Sequence, residues 1–284
     1  MRIAFNGLEM GDNSLYNVTS IDGLDSLPDL TIGIAPKPRR HGSWLGGKLA
    51  QKRVITLSFD ILGDPNDDWR TTKPKNALTN AFQIMDEELP LNFELDYGED
   101  PVMVKASVTA LDLPLVQNYS RQRSGTVEFT CTDPQKYATA ARKGTARVPE
   151  TPVATPYGAA YGFVYSVTTG LSGTFRADND GNTPSPVVYS ITGPVTHPVI
   201  TLDDRRGNRK TKFLLTLKAK DELEVDTAAN RVTVNGEDRY GTATGALVAD
   251  LTMRPGETTV GFTGNNTGGD TAPSLTAVWR DTNR

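Results

Sequence analysis

The sequence has little of what most protein chemistries require: one cysteine, Cys131, and two histidines, His41 and His197, among 284 residues. A lone thiol closes no intramolecular disulfide, which excludes a secreted disulfide scaffold and fits assembly in a reducing cytoplasm. The histidines belong to no metal-ligand spacing such as His-Glu-x-x-His, so a zinc site is not expected. No window approaches the roughly 18 apolar residues of a membrane span, and Met1 to Leu8 holds no apolar signal-peptide core, so neither a membrane partner nor an export address is expected. A strong charge of either sign is also missing: the net charge is −4, and the two halves of the chain barely differ. Nucleic acid attracts domains with a clustered basic face, and the one basic cluster here is Lys37, Arg39, Arg40 and His41, extended loosely by Lys48, Lys52 and Arg53. It reads as a solvated loop or a site for an acidic partner, and no nucleic-acid partner is expected.

What is present is the composition of a folded β protein with many turns. The 26 glycines and 18 prolines are spread without a period between short runs rich in Val, Thr, Phe and Leu, and the length calls for two domains. From Arg53 to Ile61, Ile55, Leu57, Phe59 and Ile61 alternate with polar residues, the mark of a strand with one buried and one wet face. The same alternation runs through Leu91, Phe93, Leu95, through Val102, Val104, Ala106, Val108, Ala110, and through Val127, Phe129, Cys131. Between them, Thr72 to Glu87 carries Ala77, Leu78, Ala81, Phe82 and Met85 at helical spacing. That spacing predicts one amphipathic helix of about four turns, capped by Thr72, tolerant of Pro74 in its first turn and lying on the sheet through Leu78, Phe82 and Met85. From Ala138 to Tyr161 the apolar period dissolves into Ala, Thr, Pro and Gly, and Val148 to Tyr161 reads as an exposed linker between independently folded halves.

Beyond it the sequence predicts strands at Phe163 to Val167, Val187 to Ile191, Pro198 to Leu202, Phe213 to Leu217, Leu223 to Val225, Val232 to Val234, Leu247 to Met253, Thr258 to Phe262 and Leu275 to Trp279. Many short strands punctuated by Gly207-Asn208, Asn235-Gly236 and Pro255-Gly256 read as a β-sandwich, most plausibly a jelly roll.

Catalysis finds few candidates. Cys131 alternates with Val127 and Phe129 on a buried face, where a thiol is inert. The acidic pairs Asp67-Asp68, Glu87-Glu88, Glu99-Asp100 and Asp203-Asp204 are sequence neighbours, which point to opposite faces of a strand and so make poor glycosidase pairs. Asp178 to Asn182 has oxygen ligands at alternate positions, but the glycine and glutamate of an EF-hand loop fall on Thr183 and Tyr189, so a turn is the simpler reading. Trp44, Trp69 and Trp279 suggest a sugar-stacking platform, against which Trp279 alternates with Leu275 and Ala277 as core. No catalytic residue, metal ligand or cofactor is assigned, and the chain is not expected to be an enzyme.

The spacing Phe129-x-Cys131-x-Asp133-Pro134, followed by Tyr137, is a buried strand ending in an Asp-Pro turn pinned by an aromatic. It resembles the end of the N-terminal domain of the siphophage distal tail protein. Phe5-Asn6-Gly7, the loop from Pro36 to Gly47, the strand from Arg53 to Ile61 and the single helix agree in order. The second half is similar in Asn179 to Asn182 with Pro184 and Pro186, Gly193 with Pro198, Asp221 to Asp226, Asn235-Gly236, Pro255-Gly256 and Trp279-Arg280-Asp281. The resemblance implies a mainly all-β chain: residues 1–140 a ring-forming, β-sandwich-like domain with one α-helix, 141–160 a linker, 161–284 a jelly-roll or galectin-like β-sandwich. It further implies a structural virion protein of the tail tip, assembled in the host cytoplasm as a homohexameric ring between the tail tube protein and a tail-tip or fibre hub protein. The competing expectation is a carbohydrate-binding β-sandwich protein of host-surface recognition. For assembly, the segment from Pro36 to Lys52 is expected to be a long loop without strand pattern that reaches a neighbour through Arg39, Arg40 and Trp44, a Trp among arginines being the composition of an interface anchor.

Overall fold

In the computed structural model, residues 1–67, 69–95, 98, 100–115, 117, 119–147, 173–266 and 272–284 are described. They divide into two compact units, Met1–Thr139 and Ala140–Asn283.

The first unit opens with β1 (Arg2–Phe5) and β2 (Leu8–Gly11), joined by Asn6-Gly7, both at positive φ (46° and 77°) as a two-residue type I′ hairpin turn requires. There follow β3 (Tyr16–Asp22), β4 (Leu30–Pro36), β5 (Ser43–Ala50), β6 (Arg53–Leu62), α1 (Thr72–Ala81), β7 (Leu89–Glu94), β8 (Val102–Asp112), β9 (Gln122–Cys131) and β10 (Lys136–Ala138). Hydrogen bonding orders them β2-β1-β7-β8-β9-β6-β3, all antiparallel, with β10 beside the start of β8. Strand β8 is the corner. Its first half pairs with β7 and its second half with β9, so the chain of strands folds over on itself and encloses a core. Across that core Phe5 of β1 meets Phe129 of β9 edge to face at 5.0 Å, and Phe82 closes the cluster 5.8 Å from Phe5 and 5.7 Å from Phe129.

Strand β6 follows its sequence pattern to the residue: Ile55, Leu57, Phe59 and Ile61 are buried, their neighbours less so. Strand β8 departs from its pattern. A bulge between Val108 and Ala110 inserts Thr109, which leaves Ala110 exposed and turns Leu111 towards the core. A bulge swaps the faces of all that follows it, so unbroken alternation in the sequence hides it. The helix is also shorter than its apolar period. It ends at Ala81, whose carbonyl accepts the side-chain amide of Asn6 at 3.0 Å, while Phe82 and Met85 still pack on the core from the chain that follows. Its cap position is Thr71 rather than Thr72, and the Thr71 hydroxyl donates to the Tyr119 carbonyl (2.8 Å) instead of capping the helix. Pro74 sits in the first turn as expected, its carbonyl accepting from the buried Tyr16 hydroxyl at 2.9 Å.

Arg53 does not belong to the basic surface cluster. At 2% exposure it lies on the buried face of β6, in register with Cys131. Its Nε donates to the Pro134 carbonyl (3.0 Å) and its Nη1 to those of Gly23, Leu24 and Ser26 (2.7, 2.8 and 2.7 Å). The Asp-Pro turn that follows β9 is fixed from the other side too: the Asp133 carboxylate accepts the Gln135 amide and the Tyr137 hydroxyl. Burial, with Asp133 beside it, raises the Tyr137 phenol well above its ordinary pKa.

The second unit holds β11 (Arg142–Arg147), β12 (Thr174–Asn179), β13 (Val187–Thr192), β14 (Val195–Asp204), β15 (Gly207–Phe213), β16 (Thr216–Leu217), β17 (Glu222–Asp226), β18 (Arg231–Val234), β19 (Glu237–Asp238), β20 (Ala243–Gly245), β21 (Gly256–Asn266), β22 (Ser274–Trp279) and β23 (Thr282–Asn283). One antiparallel sheet runs β11-β22-β13-β17-β18-β19 and the other β12-β21-β14-β15-β20, with β16 on β14. Their inner faces, including Tyr189, Ile191, Val225 and Leu275 from the first and Ile200, Leu202, Phe213 and Phe262 from the second, form one core, a β-sandwich. Strand β11 lies within the segment that reads as linker, yet pairs along its length with β22. Gly144 on β11 leaves room for the Phe175 ring, which stacks on Trp279 at 6.4 Å, and the Trp279 indole N–H donates to the Asp178 carbonyl. The rest of the linker, Val148 to Tyr161, and the strand read at Phe163 to Val167 lie outside the described residues.

Two expected strands are replaced. Phe213 ends β15, and after two residues Thr216 and Leu217 pair separately with the start of β14, because a bulge at Thr196–Val199 divides that partner. Leu247 to Met253 is a 3₁₀ turn, Val248–Asp250, whose buried Val248, Leu251 and Met253 fill the sandwich edge. Its carbonyls explain the choice: Tyr189 donates to Leu251 (2.7 Å), and Arg209 donates to Asp250 and, at 2.9 Å, to Thr252. Arg209 also meets the Asp204 carboxylate at 2.6 Å, which Arg254 approaches at 3.1 Å. Burial pushes the Asp204 carboxyl up, but the Arg206 amide and the two guanidiniums outweigh it and hold it below the usual carboxylate range.

Two outcomes follow. Cys131→Ser places a hydroxyl where burial raises the thiol pKa to about 12, so it is expected to cost about 1–3 kcal/mol in urea unfolding without changing the assembly state. Rapid labelling of the native thiol contradicts that placement. Asp204→Asn is expected to cost about 2 kcal/mol at pH 7. Because the folded carboxyl titrates below its unfolded value near 4, the wild-type advantage is complete above about pH 5 and fades as pH falls through the folded pKa. Urea unfolding of both proteins at pH 7, 5 and 3 checks this, and a gap that does not narrow at pH 3 contradicts it.

Candidate assembly interface

The segment expected to be a structureless loop is a β-hairpin. Among the described residues strands β4 and β5 pair only with each other, Leu30 opposite Ala50, Ile34 opposite Leu45 and Ala35 opposite Trp44. Gly33 faces Gly46 and Gly47 where the register shifts. Three glycines and a bulge erase the alternation by which a strand is recognised, which is why the sequence reads as loop. The signals that remained were Pro36 and Gly42 flanking a turn, with branched or aromatic residues on both sides. In the turn, the Lys37 amide donates to the Gly42 carbonyl (3.1 Å), and Arg39 takes φ 57°. At the base, Gln51 closes the pair through its amide to the Asp29 carbonyl (2.7 Å) and its side chain to the Thr31 hydroxyl (2.7 Å).

The hairpin contributes no residue to the core of its own unit, and nearly every residue on it is exposed. Its apolar side chains are in water: Ile34 is 64% exposed, Trp44 63%, Leu45 66% and Leu49 71%. Arg39 and Arg40 occupy the tip with His41, Trp44 lies on β5, and Lys37 stacks its ammonium 4.8 Å from the Trp44 ring centroid. The three residues singled out by sequence therefore share one arm, with Lys48 on its second strand. Sequence reasoning missed Ile34, Leu45 and Leu49, which a hairpin reading would have placed beside Trp44.

The other candidates scatter. Cys131 is wholly buried, His41 is at the hairpin tip, and His197 is exposed in the bulge of β14 at φ 52°. Asp180 pairs with Arg142, and Asn179 is buried, donating to the carbonyls of Thr183 and Met253 and accepting the amide of Gly181, so these residues build a turn. Among the described residues no three His, Cys, Asp or Glu side chains converge as metal ligands do, and no helix is long and apolar enough to cross a membrane. Trp279 is core of the second unit, as its alternation indicates, while Trp44 and Trp69 are exposed in the first unit.

No protein-family model matches the sequence, and no curated protein matches it. Among solved structures, a chain of the phage P2 baseplate in its activated conformation with Ca aligns over 98% of this chain and 96% of its own, at 10% identity and TM-score 0.48. The Dit protein of phage SPP1, gp 19.1, described as a paradigm of the hub adsorption apparatus in phages infecting Gram-positive bacteria, aligns over 99% of this chain and 98% of its own, at 13% identity and TM-score 0.64. Along essentially its whole length, the chain has the fold of that Dit protein.

Proposed function

We propose that the chain is a structural subunit of a phage tail tip, forming a homohexameric ring that joins the tail tube to the host-adsorption apparatus. The observation that carries this reading is the freestanding hairpin β4–β5. A two-stranded sheet is marginal in water by itself, and this one exposes Ile34, Trp44, Leu45 and Leu49. A partner that covers them removes apolar surface from water, which favours association. In the proposed ring the first unit closes the circle, with the arm laid on the adjacent subunit and Arg39, Arg40 and Trp44 in the contact. The tail tube protein stacks on one side and a tail-tip or fibre hub protein on the other, while the second unit projects outward. Assembly takes place in the host cytoplasm, and the finished ring sits at the virion tail tip. The fold shared with a hub adsorption protein supports the reading.

Native mass spectrometry of the full chain at several concentrations tests it. The wild type is expected to form a closed ring, and the variant carrying Trp44→Ala and Arg40→Glu to need at least about tenfold more protein to assemble. A wild type that stays monomeric throughout, or a variant that keeps the same ring, contradicts the role of the arm.

A further inference from the structure

A second contact surface lies at the opposite ends of α1. Beside its first turn is a cavity of about 540 Å³ lined by Arg70, Lys75, Arg121 and Arg123, with Tyr119 and Ser120 completing the wall. No described acidic residue lines it, and none of the four cations makes an ion pair with a described carboxylate. Arg123 holds its place by donating to the Leu113 carbonyl, but its buried Nε has no acceptor among the described residues. In a chain of net charge −4, four cations around one cavity make a local positive field that favours an anionic group entering it.

At the other end of the helix the chain makes an acidic knob. Phe82 and Met85 pack on the core and fix the backbone, so that Ile84 between them points outward at 94% exposure, followed by exposed Asp86 and Glu87. The opposite end of the helix is basic. The first turn carries Lys73 and Lys75 and no acid, the reverse of what the macrodipole favours there, and the last turn carries no base.

We propose that the cationic cavity of one copy receives the Ile84–Glu87 knob of the next, Asp86 and Glu87 meeting the arginines and Ile84 covering the exposed ring of Tyr119. Cavity and knob are different patches on one subunit, so the contact is head to tail, the type that generates rings when its rotation closes. The inference rests on self-assembly as read above, and adds to the hairpin arm a second, electrostatic junction that sets the direction of travel around the ring.

Charge reversal in the full chain tests it. Arg70→Glu with Arg121→Glu, and separately Asp86→Lys with Glu87→Lys, are each expected to raise the concentration for half-assembly at least about tenfold in native mass spectrometry. Mixing the two variants pairs an acidic cavity with a basic knob at one junction and the original pair at the next, so assembly returns. The chain carrying all four substitutions assembles alone. Slow labelling of Cys131 in every variant confirms that the first unit is folded. Variants that assemble like the wild type overturn the proposal while leaving the ring intact, and folded variants that neither mixing nor the fourfold chain rescues overturn it as well. A wild type that never assembles overturns both this inference and the ring, and only that outcome does so.

Discussion

The guanidinium of Arg53 gathers carbonyl groups from two distant stretches of the first unit, Gly23 to Ser26 and Pro134. A buried cation without a carboxylate partner is tolerated because arginine stays charged and offers donors in a flat fork, so several carbonyl dipoles share the work of one anion. Burial lowers its pKa from the ordinary value, but a guanidinium starts so high that it keeps its proton. The neighbouring geometry leaves no slack: Gly23 sits at φ 89°, and a Cβ there would lie 2.0 Å from the Val54 carbonyl oxygen. A lysine in place of Arg53 carries its donors on a single nitrogen, so it cannot serve Pro134 from one atom and Gly23, Leu24 and Ser26 from another.

This constraint matters for function because of where those stretches lead. The first enters the hairpin and the second leaves β9 towards β10, so a single side chain on β6 sets the base from which the arm extends. In the proposed ring, pinning the base would lower the entropy lost when the arm settles on a neighbour, and so would make a marginal two-stranded element an effective anchor. The hairpin gains little from its own unit. Its glycines thin the contact between its strands, and its apolar residues lie on the outside.

Much of this was legible in the sequence, and the failures have common causes. Strands whose pattern reports one buried face, β6 above all, could be read directly, as could the buried Cys131 and the Asp133-Pro134 turn with its Tyr137. Bulges defeated the reading at β8, β14 and β5, because one inserted residue inverts the periodic signal while leaving the composition unchanged. Tertiary carbonyl acceptors defeated it elsewhere: Asn6 takes the last helical carbonyl, and Arg209 with Tyr189 turns Leu247 to Met253 into a 3₁₀ segment. Arg53 was misread for the same reason, since nothing local distinguishes an arginine that ends a basic run from one that begins a buried strand. At the arm, composition pointed to Arg39, Arg40 and Trp44 but not to the hairpin that joins them to Ile34, Leu45 and Leu49.

The central claim is that this arm crosses from one subunit to the next, and covalent capture tests it most directly. A photoreactive phenylalanine analogue at position 44, irradiated in the assembled wild-type background, is expected to give a ladder of covalent oligomers ending at the ring number, with the cross-linked peptide drawn from the first unit of another copy. Products confined to a single chain, at concentrations where the ring is present, would contradict it.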